Sequence, residues 1–348
     1  MSLPDTMPAL VWTAPRVLEM QRLPVPQPAP GEVLLAISAA GICGSELSGY
    51  LGESSIRVPP LVMGHEAAGT VVSGAGLPLA DGTLAREGTR VAFNPLLVCG
   101  TCDRCRAGRS SVCRNRALIG AHRPGAYARY VAVPAAQCFP LPAHVSEVAG
   151  SLTEPLACGV RAVGLAGPAG RLLVLGAGPI GLCCLAAARA AGVPHVLVSD
   201  ISARRLEVAR RWGATATVNA REEDVLAAVQ SFAPGGVDAA VDAVGAIATR
   251  EQAVRAVAPG GRAVFLGLHD ETSPLHANYL VRQEVAVQGS FAYTPQEFAR
   301  AFELIAGGAL PATGDDWLEE RPLAAAPESF EELIAGRSRA TKIVLRVE

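Results

Sequence analysis

The chain has 348 residues, half of them apolar, and a formal net charge of −2. It is long enough for two domains with separate cores, and its charge gives no indication of a nucleic-acid partner or of attraction to an anionic membrane. Because no export signal is recognisable and the longest apolar run, Leu172 to Ala188, is broken by glycines and a proline, we expect a soluble cytoplasmic protein with no membrane partner.

Residues 1–40 are rich in proline and in short β-type runs, the last of which extends from Gly31 to Ser38. Alternating apolar residues with frequent breakers predict short antiparallel strands in a barrel-like domain. Cys43 follows this region, and further along the chain His65 and Glu66 are adjacent. A thiolate, an imidazole and a carboxylate are the ligands that leave a tetrahedral zinc with one open position, as a catalytic zinc requires. These three residues are therefore candidate zinc ligands.

Four cysteines come next at the spacing C-x2-C-x2-C-x7-C, namely Cys99, Cys102, Cys105 and Cys113. The total of nine cysteines is odd and no export signal is recognisable, so metal ligation is favoured over disulfides. Four thiolates at this spacing can enclose one tetrahedral zinc with no open position. The spacing differs from that of a ferredoxin, in which the last gap is three residues and the final cysteine precedes proline.

Short strands are predicted again between Tyr127 and Val148, including Tyr130 to Val133. A helix is then expected to begin near Thr153, a suitable N-cap, with Pro155 in its first turn. The carboxylate of Glu154, taken alone, suits the positive end of that helix. This point marks a change from proline-rich β segments to longer helical and apolar runs.

A dinucleotide-binding pattern begins at Arg171. An apolar strand leads into Gly176-Ala-Gly178-Pro179-Ile180-Gly181, a small-residue helix follows, and a second strand ends at Asp200. The glycines of this G-x-G-x-x-G turn allow a tight turn, close approach of a pyrophosphate and close packing of helix on strand. The N-terminus of the helix then faces the phosphates with free N–H groups. Because Lys342 is the only lysine, the chain has no G-K-[ST] phosphate loop, and Schiff-base chemistry is disfavoured.

Asp200 lies at the distance at which a carboxylate binds the ribose 2′-hydroxyl of NAD. Arg204 and Arg205 follow it, and an arginine at this place can instead bind the 2′-phosphate of NADP. The negative charge of Asp200 would repel that phosphate, so we predict NAD. Higher initial rates with NADP than with NAD at equal concentration would contradict this prediction.

Alternating elements follow. The pattern predicts helices at Arg204–Trp212 and Glu222–Phe232, a helix that ends at Pro259, and strands at Ala216–Asn219, Val237–Asp242 and Arg262–Gly267. Such alternation is typical of a doubly wound parallel sheet. Helices are expected again at Pro295–Gly307 and Ser329–Gly336, with a last strand at Lys342–Val347. We therefore predict an α/β protein with a β-rich domain (residues 1–152 and 290–348) and an inserted Rossmann domain (residues 153–289), with the substrate between them.

The motifs together resemble those of the zinc-dependent medium-chain alcohol dehydrogenases. The resemblance covers essentially the whole chain: Gly-Ile-Cys43-Gly-Ser, Gly-His65-Glu66, Glu87-Gly-Thr-Arg-Val, the cysteine cluster, the dinucleotide turn and Lys342-Ile-Val-Leu. Glu154-Pro-Leu is typical of the branch with sorbitol, threonine and other polyol dehydrogenases. The resemblance implies a GroES-like catalytic domain, a structural-zinc lobe over residues 95–115, and a homodimer or homotetramer.

The resemblance also implies roles for individual residues. It places Glu154 at the catalytic zinc, directly or through water, together with Cys43, His65 and Glu66. Ser45 is expected to be the first proton acceptor. The segment Ala243-Val244-Gly245 and the pair Gly267 and Leu268 are expected beside the nicotinamide half of the cofactor.

Two positions depart from the family pattern. Glu46 stands where an aspartate usually orients the zinc-bound histidine, so this side chain is one methylene longer. Ser48 stands where many members carry the histidine that passes the proton to solvent. We therefore expect the proton to leave through water, and a pH step that disappears on mutation of His122 or His269 would contradict this.

The predicted reaction is the reversible oxidation of a secondary alcohol, with zinc polarising the alcohol and NAD accepting the hydride. Polyols, sugar alcohols, cyclitols, amino alcohols and vicinal diols all remain possible substrates. The substrate pocket is expected to include Ser48, Tyr50, His122 and Phe291. Two alternatives remain: a zinc-free quinone or enone reductase, which a metal assay would distinguish, and a catalytically silent relative with a structural or regulatory role.

Overall fold

The computed structural model describes residues 3–311 and 317–348. It divides into two compact units, Met1–Glu154 with Ile305–Glu348, and Pro155–Leu304. Within the described ranges, no helix is long and apolar enough to cross a membrane.

The elements are numbered in chain order. The strands are β1 (Thr6–Ala14), β2 (Val17–Pro24), β3 (Glu32–Gly41), β4 (Leu61–Val62), β5 (Glu66–Ser73), β6 (Arg90–Phe93), β7 (Leu96–Leu97), β8 (Ala117–Leu118), β9 (Tyr130–Pro134), β10 (Cys138–Pro140), β11 (Arg171–Leu175), β12 (His195–Asp200), β13 (Ala216–Asn219), β14 (Val237–Asp242), β15 (Val257–Phe265), β16 (Ala286–Gly289), β17 (Leu318–Pro322) and β18 (Lys342–Arg346). The helices are α1 (Gly44–Leu51), α2 (Asp103–Arg106), α3 (Glu147–Ser151), α4 (Thr153–Ala166), α5 (Pro179–Ala190), α6 (Ala203–Arg211), α7 (Val225–Phe232), α8 (Ile247–Ala256), α9 (Ala277–Gln283), α10 (Pro295–Ala306) and α11 (Ala326–Ile334).

The first unit is built on short, mostly antiparallel strands. Its main sheet runs in the order β10-β6-β5-β3-β18-β17, and β9 also pairs with β3. β3 is buried along nearly its whole length because it has neighbours on both edges and packs into the core. That core includes Trp12, Phe93, Tyr127 and Ile343. The last strand thus returns to the side of β3, although the sequence between them is long.

The second unit contains a parallel sheet in the order β13-β12-β11-β14-β15-β16. Numbered within the unit this is 3-2-1-4-5-6, the strand order of dinucleotide-binding folds. Leu173, Leu197 and Ala240 from its central strands lie in one buried cluster. The order changes direction at β11 and β14, so the carboxyl ends of these two strands are where such folds bind a ligand.

Several predicted elements differ in their bounds from the structure: β15 covers Val257–Phe265 rather than Arg262–Gly267, and α11 covers Ala326–Ile334 rather than Ser329–Gly336. Two further differences have an identifiable cause. α7 begins at Val225 rather than Glu222 because the side chain of Asp224 caps it by accepting the Ala227 N–H (2.8 Å). α8 ends at Ala256, earlier than the predicted end at Pro259, because Val257 already pairs with Val237 as part of β15.

The second domain boundary also differs from the predicted one. Residues 290–304, assigned by the sequence to the returning catalytic domain, lie in the parallel-sheet unit. There the Ser290 N–H donates to the Phe265 carbonyl (2.8 Å), and Arg161 pairs with Glu297 (3.1 Å). The chain thus leaves this unit near residue 305 rather than 290.

Candidate active site and metal centres

Three side chains of the first unit form a candidate metal site. Cys43 is the N-cap of α1, while His65 directly precedes β5 and Glu66 begins it. The antiparallel register places Gly41 of β3 opposite Glu66, which brings the two motifs side by side. One ligand atom from each of the three residues lies within 4.8 Å of the other two. This donor set fits a zinc ion that keeps an open coordination position.

The imidazole of His65 is paired with a buried carboxylate. Glu46 Oε1 lies 2.8 Å from His65 Nδ1, so Nε2 is left to face a metal. Burial alone would raise the pKa of Glu46, but the charge of His65 and a hydrogen bond from Tyr127 contribute to lowering it to about 2. Burial alone would lower the pKa of His65, but Glu46 and Cys43 raise it well above its usual value. A proton and a metal ion therefore compete for this ring.

Ser45 is held close to the same site. Its hydroxyl donates to Cys43 Sγ (3.4 Å). The guanidinium of Arg57, only 4% exposed, donates to the Ser45 carbonyl (3.0 Å) and to Ser45 Oγ (3.3 Å). The serine hydroxyl therefore has a defined position beside a candidate ligand, as a proton acceptor in the reaction would need.

Glu66 forms a buried ion pair with Lys342. Both side chains are 1% exposed, and the ammonium also donates to the Ile42 carbonyl (2.9 Å). Burial alone would lower the pKa of Lys342, but Glu66 and Cys43 raise it. The candidate metal site thus has the positive charge of Lys342 next to the carboxylate of Glu66.

The four clustered cysteines fit a structural zinc. Their sulfurs lie within 4.8 Å of one another, with Cys99 and Cys113 3.4 Å apart and Cys102 and Cys113 3.9 Å apart. Zinc–sulfur bonds of about 2.3 Å in a tetrahedron separate the sulfurs by about 3.8 Å. N–H groups of Thr101 and Cys102 lower the pKa of Cys99 to about 6, which favours the thiolate form.

The four thiols of this cluster lie close enough to disfavour one another's ionisation. Desolvation and the neighbouring sulfurs of Cys102 and Cys113 raise the pKa of Cys105 to about 12. A cation at the centre would remove this conflict because it stabilises all four thiolates together. The donor set therefore matches the predicted closed site.

The dinucleotide turn has the predicted geometry. Gly176 follows β11 with φ +94°, and Pro179 and Ile180 open α5 with Pro179 at its first position. A Cβ on Gly181 would overlap the Gly176 carbonyl, so α5 can lie this close to β11 only with glycine there. At Gly178 a Cβ would meet nothing within 4 Å. The turn thus leaves open space in front of the α5 N-terminus, where a pyrophosphate would fit.

Asp200 ends β12 beside this turn. Its Oδ2 accepts the Ala177 N–H (2.7 Å) and its Oδ1 accepts the Ser202 N–H (2.8 Å). A carboxylate has about four acceptor positions, so two remain for a ribose diol. Arg205 lies half-buried in the first turn of α6, where its backbone N–H donates to Ser202 Oγ (3.4 Å), and Arg204 is exposed.

The two predicted nicotinamide segments lie next to each other. The carboxylate of Asp242, completely buried, accepts the N–H groups of Val244 and Gly245 (both 3.0 Å). Its carbonyl accepts the Gly267 N–H (2.9 Å), and Leu268 beyond it is 82% exposed. Burial raises the pKa of Asp242, and the loop N–H groups act against this. One side chain thus fixes the shape of the 243–245 loop.

Known proteins are similar to this chain over most of its length. Residues 29–143 match the profile of the alcohol dehydrogenase GroES-like domain, and residues 179–307 match that of the zinc-binding dehydrogenase. L-threonine 3-dehydrogenase of Pyrococcus abyssi is 38% identical over 286 residues, 80% of either chain. Sorbitol dehydrogenase of Bacillus subtilis is 31% identical over 316 residues, 88% of either chain. The chain belongs to the zinc-binding dehydrogenases.

A solved structure supports the same assignment. A zinc-binding dehydrogenase from Sinorhizobium meliloti 1021, bound to NADP, is 32% identical with a TM-score of 0.87, and the match covers 99% of this chain and 100% of that one. These findings confirm the predicted family, its polyol and threonine dehydrogenase branch, and the fold of GroES-like and Rossmann-like parts. The protein is an enzyme, and its cofactors are zinc and a nicotinamide dinucleotide.

Not every predicted site residue of this dehydrogenase joins the metal cluster. Glu154 is buried in the first turn of α4, but it is not in the group of ligand atoms that lie within 4.8 Å of one another. Tyr50 is part of the hydrophobic core, and its hydroxyl bonds the Arg16 carbonyl and Glu331 (both 2.9 Å). That Tyr50 lines the substrate pocket stays a prediction; in the structure its ring packs edge-on against Phe330.

The other predicted pocket residues remain accessible. Ser48 is half-buried in α1, and Phe291 is 42% exposed. His122 is exposed, and its Nδ1 accepts the Leu118 N–H (3.1 Å), which holds it in a local turn.

Sequence reasoning missed three residues beside the candidate site of the dehydrogenase. Lys342 was noted only as part of a C-terminal motif and as the single lysine, and that rarity was the available signal. Tyr127, bonded to Glu46, and Arg57, bonded to Ser45, carried no local signal. They come from loops that reach the site only through the fold.

Proposed function

We propose that the enzyme catalyses the reversible, NAD-dependent oxidation of a secondary alcohol that carries a further hydroxyl or amino group. The observation that carries the proposal is the group of half-buried Cys43 with buried His65 and Glu66, in which Glu46 pairs with the ring of His65, in a chain that also has a dinucleotide turn. The printed names of the similar enzymes, L-threonine 3-dehydrogenase and sorbitol dehydrogenase, support an amino alcohol or a polyol.

The proposed roles follow from the contacts. Zinc would supply Lewis acidity to the alcohol oxygen, and the nicotinamide ring would accept the hydride. Cys43 and His65 would hold the metal, with Glu46 fixing the ring of His65. Ser45 Oγ would take the alcohol proton, and the hydrogen bond from Arg57 keeps that oxygen in place.

The acids complete the proposed coordination. Glu66 lies in the cluster but is already paired with Lys342, so its bond to the metal would compete with that ion pair. Glu154 would approach as a further ligand, directly or through water. The loop held by Asp242, with Gly267 and Leu268 beside it, would contact the nicotinamide ring.

The metal site is tested by variants assayed on a substrate panel. NADH formation would be measured with L-threonine, sorbitol, a cyclitol and a vicinal diol, with and without a chelator. We expect activity on at least one class, lost in Cys43→Ala and His65→Ala. The matched control is Cys158→Ala, a half-buried cysteine outside both clusters, which should retain activity. Unchanged turnover in Cys43→Ala or His65→Ala would overturn the proposal.

The preference for NAD rests on Asp200. Its carboxylate borders the dinucleotide turn and keeps acceptor capacity for a ribose hydroxyl, while a 2′-phosphate would meet its negative charge. We expect kcat/KM to be higher with NAD than with NADP, and Asp200→Ala to reduce or reverse that ratio. A native enzyme that favours NADP, as the cofactor of the Sinorhizobium meliloti structure would suggest, contradicts this assignment.

We also propose that the enzyme is a cytoplasmic homodimer or homotetramer. The edge strand β16 supports self-association because all four of its residues are exposed and, among the residues that the structure describes, β15 is its one paired neighbour. Such an edge can extend its sheet with the same strand of a second copy. Light scattering after size exclusion tests this: a monomer for the native protein would contradict it, and Val287→Pro should weaken the assembly.

A further inference from the structure

The carboxylate of Glu46 is enclosed by donors. Oε1 lies 2.8 Å from His65 Nδ1 and accepts the Gly64 N–H (2.8 Å), while Oε2 accepts the Cys43 N–H (3.1 Å) and the hydroxyl of Tyr127. Glu46 and Tyr127 are both 0% exposed, so no water competes for these bonds. The tyrosine is the one of these donors that belongs to neither ligand motif.

The position of Tyr127 is itself fixed by the loop that carries His65. Its backbone N–H donates to the Met63 carbonyl (2.9 Å), and its ring packs edge-on against Phe330 with centroids 6.2 Å apart. Burial, Glu46 and the other nearby acids raise its pKa well above the usual value, so the hydroxyl keeps its proton and remains a donor. A second acceptor, the Gly41 carbonyl, lies 3.0 Å from the same hydroxyl.

Glutamate at position 46 gives this contact a role. A glutamate carboxylate has one more rotatable bond than that of aspartate, so a bond at Oε1 alone leaves its orientation less restricted. The Tyr127 hydroxyl adds to the Cys43 N–H on Oε2 and restricts that freedom further, and hydrogen bonds to a buried charged group are among the stronger ones in proteins.

We propose that Tyr127 is a positioning residue for the catalytic zinc: its hydroxyl holds Oε2 of Glu46 so that Oε1 stays on His65 Nδ1 and Nε2 stays directed at the metal. This inference rests on the proposed metal site of Cys43 and His65. Partners behind a metal ligand typically change metal affinity by about 10-fold to 100-fold when removed.

The test measures release of zinc from the purified holoenzyme to an excess of a coloured chelator. The phase lost in His65→Ala identifies the catalytic zinc, and the four-cysteine zinc is the internal reference. In Tyr127→Phe, which keeps the ring, we expect catalytic zinc to leave about tenfold faster, at the lower end of that range, and the reference phase to be unchanged. Phe330→Leu, which removes the ring packed on Tyr127 but keeps the hydroxyl, should accelerate release of the catalytic zinc less than Tyr127→Phe does.

A double-mutant cycle identifies the path of the effect. If Tyr127 acts through Glu46, then Tyr127→Phe should have little further effect in a Glu46→Asp background, because the shorter acid has already left the hydroxyl. Additive effects would overturn the inference. If Tyr127→Phe does not fold, Glu46→Asp alone carries the test, since it withdraws the carboxylate from an intact tyrosine, and unchanged release would again overturn it.

Two further outcomes of Tyr127→Phe count against the proposal: catalytic release within twofold of the native rate, and equal acceleration of both phases, which would show general loosening. Failure of the proposed function is distinguishable, because the native protein would then lack the histidine-dependent phase altogether.

Discussion

Replacement of Lys342 by methionine should destabilise the first unit strongly. The ammonium pairs with Glu66 where both side chains are 1% exposed, and it also donates to the Ile42 carbonyl. Methionine fills similar volume but leaves the carboxylate buried without its cation. Loss of one partner from a buried ion pair costs about 3–5 kcal/mol, and we expect this reduction in the free energy of unfolding.

Tryptophan fluorescence can report this unit separately. Trp12 and Trp317 are buried in the first unit, and Trp212 lies in the second, so a Trp212→Phe background removes the signal of the other unit. Urea unfolding should then show a lower midpoint at an unchanged m-value. The double variant Lys342→Met with Glu66→Gln should recover part of the loss, because no buried charge remains unpaired. A loss below about 1 kcal/mol for Lys342→Met would refute the reasoning.

The effect should also depend on pH in a defined direction. The pKa of Lys342 is raised above its ordinary value of 10.5, since Glu66 and Cys43 outweigh the opposing effect of burial. A raised pKa in the folded state contributes stability that is fully present below pH 10.5 and is lost as pH rises through the folded value. The part of the cost that comes from the charge of Lys342 should therefore be the same at every pH below 10.5 and decrease as the pH rises through the folded value.

Three other changes test separate parts of the structure. Cys113→Ser should remove one zinc equivalent by elemental analysis and lower the thermal midpoint, because it opens the four-thiolate site; two retained equivalents would contradict this. Gly181→Ala should prevent stable folding or abolish NAD binding, because its Cβ would overlap the Gly176 carbonyl. Gly178→Ala should fold normally and weaken only NAD binding, as measured by fluorescence titration. Equal behaviour of the two variants would refute the assignment. His122→Gln and His269→Gln should each keep every step of the native pH profile of kcat, because both rings are exposed and the proton is expected to leave through water.

The parallel sheet could be predicted well because its signals are local. β13 and β14 have the bounds predicted for them, Ala216–Asn219 and Val237–Asp242. Both could be predicted because each is a short apolar run between breakers. The end of α8 could not be predicted from local pattern. Val257 belongs to β15 because of its pairing with Val237, and pairing depends on residues distant in sequence.

The candidate site likewise contains residues that local motifs predict and residues that only distant contacts bring in. Cys43, His65 and Glu66 lie in short motifs with the chemistry of metal ligands, and the structure groups them. Lys342 joins Glu66 across 276 positions, and Tyr127 joins Glu46 across 81, so no window of sequence contains either pair. Tyr50 shows the opposite limit: its place in a ligand-bearing helix suggested the pocket, and nothing in the sequence indicated that its side chain packs into the core.

The glycines beside the metal ligands are explained by contacts with side chains that are distant in sequence. A Cβ on Gly41 would overlap the Glu66 carboxylate and press on Lys342, and a Cβ on Gly64 would meet the ring of Tyr127 within 2.7 Å. Each motif therefore needs glycine because a buried side chain from elsewhere occupies the space in front of its backbone. The sequence shows the glycine but not its cause. The two motifs therefore supply more than metal ligands. Their glycines also leave room for the ammonium of Lys342, which pairs with Glu66, and for the phenol of Tyr127, which bonds Glu46.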